Sequence, residues 1–381
     1  MQEETAQLEH AVTPLELFFD LVFVFAITQV TNLLTHEPNW HGVIRGSLVL
    51  AAIWWAWTGY AWLTSTLDVD EGGVRLMMLA TLAAMLGVAL AVPRAFEGDA
   101  RLFGVSYFLV RVLHVVLYAY ACRDDPDLIG AVLRLAPAEI LGASAILVAG
   151  FLSGEARIAA WLVALAIDYI GPAAVDLGGW RIAPEHFAER HGLIVLIALG
   201  ESIVAIGVGA GFKLTTGSVA GAALGVVVIS ALWWLYFDVA AIFARRQLVQ
   251  RSGVAQIRLA RDAYSYLHLP LVAGIVFFAF GLKTTLHHVG DQLATVPAVA
   301  VCAGAAVYLL GHVVFLYRAT SHVFRRRMLG GLVLLSLVPA ALALPALGAL
   351  GLVSAVCSLV VAYEALRYRT GRLQVRHPEV S

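Results

Sequence analysis

Ionisable side chains inside long apolar runs are the residues of this chain best placed to do chemistry. A charge at bilayer depth costs at least ~2.5 kcal/mol, so it persists only with a partner or a task. Arg111, Glu139 and Asp168 each fall inside such a run, and Glu201 lies about 11 residues into another. Glu16, Asp20, His114, Asp238, His268 and His312 sit nearer one end of their runs, so acids and bases gather in one half of the membrane. Arg111 and His114 are three apart and share a helix face. Because a guanidinium does not deprotonate, Arg111 needs a carboxylate, and Glu139, Asp168 and Glu201 are the candidates. Such a set can exchange protons and hold an anionic substrate group, or it can pin helices together as a structural ion-pair network. Glu16 and Asp20 are four apart and stack on one face, where two carboxylates repel unless an Arg or His lies opposite. Glu16 also reads as a cap, since an acid is favoured at a helix start. The candidate proton or substrate site is therefore Asp20, Glu201, Arg111, Glu139, Asp168 and His114.

The segment Pro184-Glu185-His186-Phe187-Ala188-Glu189-Arg190-His191-Gly192 contains metal-ligand residue types but not the H-E-x-x-H order. His186 and His191 are five apart, about 500° around a helix, and so lie on different faces. No metal and no cofactor is assigned. Glu16, His186, Glu189 and Arg190 are expected at a cytoplasmic mouth, with Glu189 and Arg190 bonded to each other. Gly192, Gly200, Gly207 and Gly209 allow close contact with a neighbouring helix, and Gly200 also leaves room for a ligand or ion to approach Glu201. Trp54, Trp55, Trp57, Trp233 and Trp234 read as packing residues, with an aromatic cavity for an organic cation as the other reading. Cys122, Cys302 and Cys357 show no ligand spacing and read as small buried residues.

The elements that position these groups follow from composition. The 381 residues are 61% apolar and 13% charged, roughly half the ~25% charge of soluble domains. That excludes a soluble globular protein, and with a net charge of −1 it also excludes a nucleic-acid binder. The solvent is lipid, and the partners expected are the bilayer with protons or a small solute. Apolar runs of spanning length occur at 16–34, 46–66, 75–93, 101–121, 130–151, 156–176, 191–210, 219–243, 263–283, 294–317, 329–344 and 346–366. Backbone groups in lipid need internal partners, so these are helices, about twelve in an all-α polytopic membrane protein. The eleventh run is short and interrupted by Pro339 and Pro345, so the last two could instead form a bent hairpin or a re-entrant pair. The acidic start lacks the basic region of a cleavable signal peptide, so the first run is expected to be a permanent span.

Eighteen of the 25 Lys and Arg residues fall on one side of this arrangement, including those of the expected loop 244–262 and of Arg325-Arg326-Arg327. The positive-inside rule then puts both termini in the cytoplasm. Six fall on the other side, among them Lys213 and Lys283. The chain reads as one integral-membrane domain over 1–381. Weak self-similarity divides it into halves 14–178 and 184–368. Trp54-Trp55 matches Trp233-Trp234, and the segment from His114 to Tyr118 matches that from His312 to Tyr317. Six spans per half would make the repeats parallel, related by an axis along the membrane normal.

The run Thr13-Pro14-Leu15-Glu16-Leu17-Phe18-Phe19-Asp20-Leu21-Val22-Phe23-Val24-Phe25 resembles the bacterial low-temperature-requirement A (LtrA) family of membrane proteins. So do His186-Phe187-Ala188-Glu189-Arg190-His191-Gly192-Leu193 and Ala198-Leu199-Gly200-Glu201-Ser202. The resemblance implies a multi-pass protein of the bacterial inner membrane and brings no established substrate. Its polar signature falls on Glu16, Asp20, His186, Glu189, Arg190, Gly200, Glu201 and Ser202, which implies a site between the first and seventh spans. Midplane carboxylates and a possible repeat favour a secondary transporter or permease, proton-coupled, rather than an enzyme. The alternatives are an intramembrane enzyme on a lipid or isoprenoid substrate, and a non-catalytic protein supporting growth in the cold.

Overall fold

The computed structural model describes residues 12–67, 72–210 and 215–367. Lys213 and the basic residues beyond Arg367, which entered the expected orientation, lie outside them. Among the described residues there is no strand, and eleven helices are long and apolar enough to cross a membrane. They are α1 (Pro14–His36), α3 (Gly72–Arg94), α4 (Ala100–Ala121), α5 (Pro126–Ala149), α6 (Gly154–Ala174), α7 (Pro184–Ala210), α8 (Thr216–Val249), α9 (Gly253–His287), α10 (Thr295–Thr320), α11 (Arg325–Ala343) and α12 (Ala346–Arg367). A further helix, α2 (Trp40–Thr64), has 25 residues and is long enough, but it does not reach the apolarity of the others. Its tryptophans and glycines, together with His41 and Arg45, lower its hydropathy. Large apolar side chains such as Leu76, Ile170 and Leu359 stay exposed along the helices, a surface suited to lipid.

Local sequence sets the helix starts. Thr13 caps α1 in a reciprocal box with Glu16, with Pro14 at the first helical position. Asp125 caps α5 by accepting from the Leu128 N–H, and Asn39 caps α2 in the same way with Gly42. The last two helices are separate, and both are of spanning length. Pro339 leaves only a turn at Leu337 within α11, and Pro345 ends that helix before α12 begins. The expected loop 244–262 is mostly helix. Helix α8 runs on to Val249 and α9 starts at Gly253, so only 250–252 connect them. Each of these long helices contains a wider π turn, Tyr236–Ala240 in α8 and Ala260–Tyr266 in α9.

In the first six helices, α1 packs on α2 and α3, α3 on α4, α4 on α5, and α2 on α6. In the last six, α7 packs on α8 and α9, α9 on α10, α10 on α11, and α8 on α12. Helices α1, α7 and α9 join the two groups. The α9–α10 contact is backbone against backbone: a Cβ on Gly304 would lie 2.4 Å from the Phe278 nitrogen. Of the four α7 glycines expected to allow close packing, Gly209 does so, against the Lys283 carbonyl. Nothing lies within 4 Å of a Cβ built on Gly200 or Gly207.

Candidate functional site

The intramembrane charges form three separate clusters. The first joins the starts of α1 and α7. On α1, Glu16 and Asp20 are one turn apart; on α7, His186 and Arg190 are likewise one turn apart, and the two stripes face each other. Arg190 Nη1 donates to Glu16 Oε1 (2.8 Å) and to Thr64 Oγ1 (3.0 Å), and Nη2 donates to Asp20 Oδ1 (2.7 Å). The indole N–H of Trp57 donates to the same Asp20 oxygen at 3.0 Å. His186 Nε2 lies 3.1 Å from Glu16 Oε2, which also accepts from the Thr13 N–H and hydroxyl. The two acids, Arg190 and His186 are all buried, while Asp20 Oδ2 has no hydrogen-bond partner. The expected bond between Glu189 and Arg190 is absent: Glu189 is exposed and points away. Adjacent helical residues diverge by about 100°, so only one of the two can face α1.

A second cluster belongs to α4, α5 and α6. Arg111 Nη2 sits 3.6 Å from both Glu139 Oε1 and Asp168 Oδ1, within ion-pair range but beyond hydrogen-bond length. Its Nη1 reaches the Trp55 carbonyl at 3.5 Å. His114 Nδ1 is 3.0 Å from Glu139 Oε2. A carboxylate only accepts, so this nitrogen carries the proton, and Nε2 has no partner. Tyr107 donates to Asp168 Oδ2 at 3.3 Å. Close approach of α5 and α6 requires Gly142, where a Cβ would lie 2.5 Å from Asp168 Oδ1.

This second cluster opens on a cavity of about 580 Å3, counting its mouth. Arg111, His114 and Glu139 line it together with the aromatic residues Trp55, Trp62, Tyr118 and Trp180. Arg261 and Ser265 also line it. Trp55 and Trp62 therefore border a cavity, whereas Trp57 packs against Asp20 and Arg190.

Glu201 forms the third cluster, away from Arg111. It accepts a short hydrogen bond from Thr28 on α1. Lys283, expected at the outer end of its span, is buried within α9 and donates to Asn32 Oδ1 at 3.0 Å. Its charge interacts with Glu201 across the α7–α9 contact. The structure thus brings Arg111, His114, Glu139 and Asp168 together, and leaves Asp20 and Glu201 on different helix contacts. His191 lies apart from His186, edge-on to Trp57 and His268. Among the described residues no group of three or more His, Cys, Asp or Glu side chains could hold a metal. Cys122, Cys302 and Cys357 are free and buried.

Sequence reasoning missed Thr64, Tyr107 and Gly142, and read Trp57 as a packing or cavity residue and not as the donor to Asp20. Of these, only Tyr107 carried a signal: it lies four residues before Arg111, on the same face of α4.

A bundle of long apolar helices enclosing buried ion pairs defines a polytopic membrane protein with polar sites inside it. The model of the family described as Bacterial low temperature requirement A protein (LtrA) matches residues 11–362, and the chain belongs to that family. It is also 31% identical over 332 residues to Uncharacterized protein RA0937 of Rhizobium meliloti (strain 1021), covering 84% of this chain and 80% of that one. No solved structure matches it.

Proposed function

We propose that this protein is a proton-coupled secondary transporter of a small solute, with Arg111, His114, Glu139 and Asp168 as its site. The observation that carries the reading is the charge balance among the ionisable groups of the α4–α6 cluster. Two buried carboxylates face one guanidinium, so with His114 neutral the site holds one negative charge in excess. A buried excess charge is costly and calls for a proton or a cation. His114 is arranged to take the proton: Nδ1 is committed to Glu139, and Nε2 is unpartnered on a residue that lines the cavity. A cationic group among the aromatic residues of the cavity would balance the same charge, so proton and solute would exchange at one place. Glu16, Asp20 and Arg190, and separately Glu201, then serve as fixed contacts between helices.

The reading includes two parallel six-helix repeats in the bacterial inner membrane, with the termini in the cytoplasm. Support comes from the matching neighbour pattern, in which α1–α3, α3–α4, α4–α5 and α2–α6 correspond to α7–α9, α9–α10, α10–α11 and α8–α12. Trp55 lines the cavity of the first half and Trp234 lines one in the second.

The test is proton movement in proteoliposomes loaded with a pH-sensitive dye and challenged with a panel of aromatic organic cations and small carboxylic acids. At least one solute should drive proton movement in the wild type and in Glu201→Gln, and not in Glu139→Gln. Wild-type vesicles that behave as protein-free vesicles with every solute would overturn the proposal.

A further inference from the structure

A larger cavity, about 1430 Å3 counting its mouth, lies among α8, the end of α10 and the start of α11. Its basic residues are His322, Arg325, Arg326 and Arg327, and Asp238 and Glu364 are its acids. Glu364 is already neutralised, because Arg327 Nε and Nη2 both donate to it at 2.9 Å. That leaves Arg325 and Arg326, both exposed, against the single carboxylate of Asp238. Arg327 is 4% exposed, and its third nitrogen, Nη1, is buried with no hydrogen-bond partner. A buried guanidinium nitrogen without an acceptor is costly, and the acceptor it calls for is an anionic oxygen.

Backbone geometry points the same way. The first segment of α11, Arg325–Ser336, has 12 residues, and Phe324 provides no side-chain cap. The Arg325 N–H donates to the Val323 carbonyl at 3.0 Å, which leaves the N–H groups of Arg326 and Arg327 open to an anion, as the helix dipole also favours. Apolar residues border the cavity on its other sides. Trp234 and Leu316 line it, Phe243 is 36% exposed, and Val323 is 50% exposed. Exposed apolar side chains beside a basic pocket match an amphiphile better than a free ion, because they cover a chain that a phosphate does not have.

We infer that this cavity binds the phosphate of a membrane phospholipid, with Arg327 Nη1 and the open N–H groups of α11 as donors, Arg325 and Arg326 as flanking charges, and the first part of the acyl chain against Phe243 and Val323. The inference does not depend on the transport reading, since none of these residues belongs to the α4–α6 cluster.

The test is retention of short-chain phosphatidylethanolamine and phosphatidylglycerol by the full-length protein in detergent, read by native mass spectrometry. The variants are Arg325→Gln with Arg326→Gln, both exposed and compatible with folding, and Arg327→Lys, which keeps the charge but not the fork. Each exposed arginine near a lipid phosphate is worth about 5-fold in affinity, so the double variant should retain lipid about 30-fold more weakly. Arg327→Lys should also lose retention, because an ammonium cannot bond Glu364 through two nitrogens and still reach the phosphate. Adding inorganic phosphate should leave the lipid bound. Equal retention by wild type and the double variant would overturn the proposal. So would displacement by inorganic phosphate at concentrations comparable to the lipid, which would make this a free-phosphate site.

Discussion

Replacing Arg190 with glutamine removes the one guanidinium that holds Glu16 and Asp20 together, and is expected to cost about 3–5 kcal/mol, the range for stripping one partner from a buried pair. The geometry gives a similar figure by another route. Arg190 makes two charge-assisted hydrogen bonds to carboxylates, at 2.8 and 2.7 Å, among groups no more than 1% exposed. At about 1.5–3 kcal/mol each, two such bonds come to about 3–6 kcal/mol. Glutamine is too short to reach both acids, so two carboxylates would face each other across one turn with only His186, Trp57 and the Thr13 cap to satisfy them. The assay is reversible unfolding in mixed micelles titrated with dodecyl sulfate, followed by circular dichroism. A second variant tests the cause: Glu16→Gln, Asp20→Asn and Arg190→Gln together remove all three charges. It should recover at least about half of the loss, because neutral replacement of a whole buried ion cluster is far milder than breaking it. A single variant that costs less than about 1 kcal/mol, or a triple variant no more stable than the single, would refute the view that Arg190 clamps α1 to α7.

Two further predictions use the same assay. Gly304→Ala places a methyl 2.4 Å from the backbone nitrogen of Phe278, so α9 and α10 must separate, at about 1–3 kcal/mol; unchanged stability would show that this contact has slack. Thr28→Val removes the hydroxyl that bonds Glu201 and should cost about 1–3 kcal/mol by leaving a buried carboxylate short of a donor. Adding Glu201→Gln to that variant should restore part of the loss, and no recovery would mean that Thr28 acts through packing alone.

The spans were legible because lipid imposes length and apolarity on a helix whatever else the sequence does. The Arg111 cluster was legible because a permanent cation in an apolar run must find carboxylates, and Glu139 and Asp168 lay at similar depth. The partners of Arg190 were not read correctly because Glu189 was nearer in sequence. The useful signal was the spacing of four in both stripes, Glu16 and Asp20 against His186 and Arg190, which only helix geometry turns into a contact. Depth alone did not separate Glu201 from Arg111, since two groups can lie at similar levels on helices that do not touch. The arginines of 244–262 and the buried Lys283 share one cause: charge was taken to end a helix, whereas α8 and α9 carry charge within their length. Trp57 was out of reach as a donor to Asp20 because an indole looks the same in sequence whether its N–H is bonded or not.

The π turns at Tyr236–Ala240 and Ala260–Tyr266 lie on either side of the short link at 250–252. A π turn accommodates one residue more than an α turn in the same rise. Deleting a single residue from either one would let the helix close into regular α geometry with what lies beyond still facing the same way, whereas deleting one from a regular α stretch would turn everything beyond it by about 100°. The basic hairpin at the end of α8 and the start of α9, with Arg245, Arg246, Arg251 and Arg258, therefore keeps its facing despite an extra residue on either side, because each π turn absorbs it locally. A one-residue deletion inside a π turn would leave that hairpin aimed as it is, and the same deletion in the regular turns at Ala241–Val249 or Gly253–Leu259 would re-aim it.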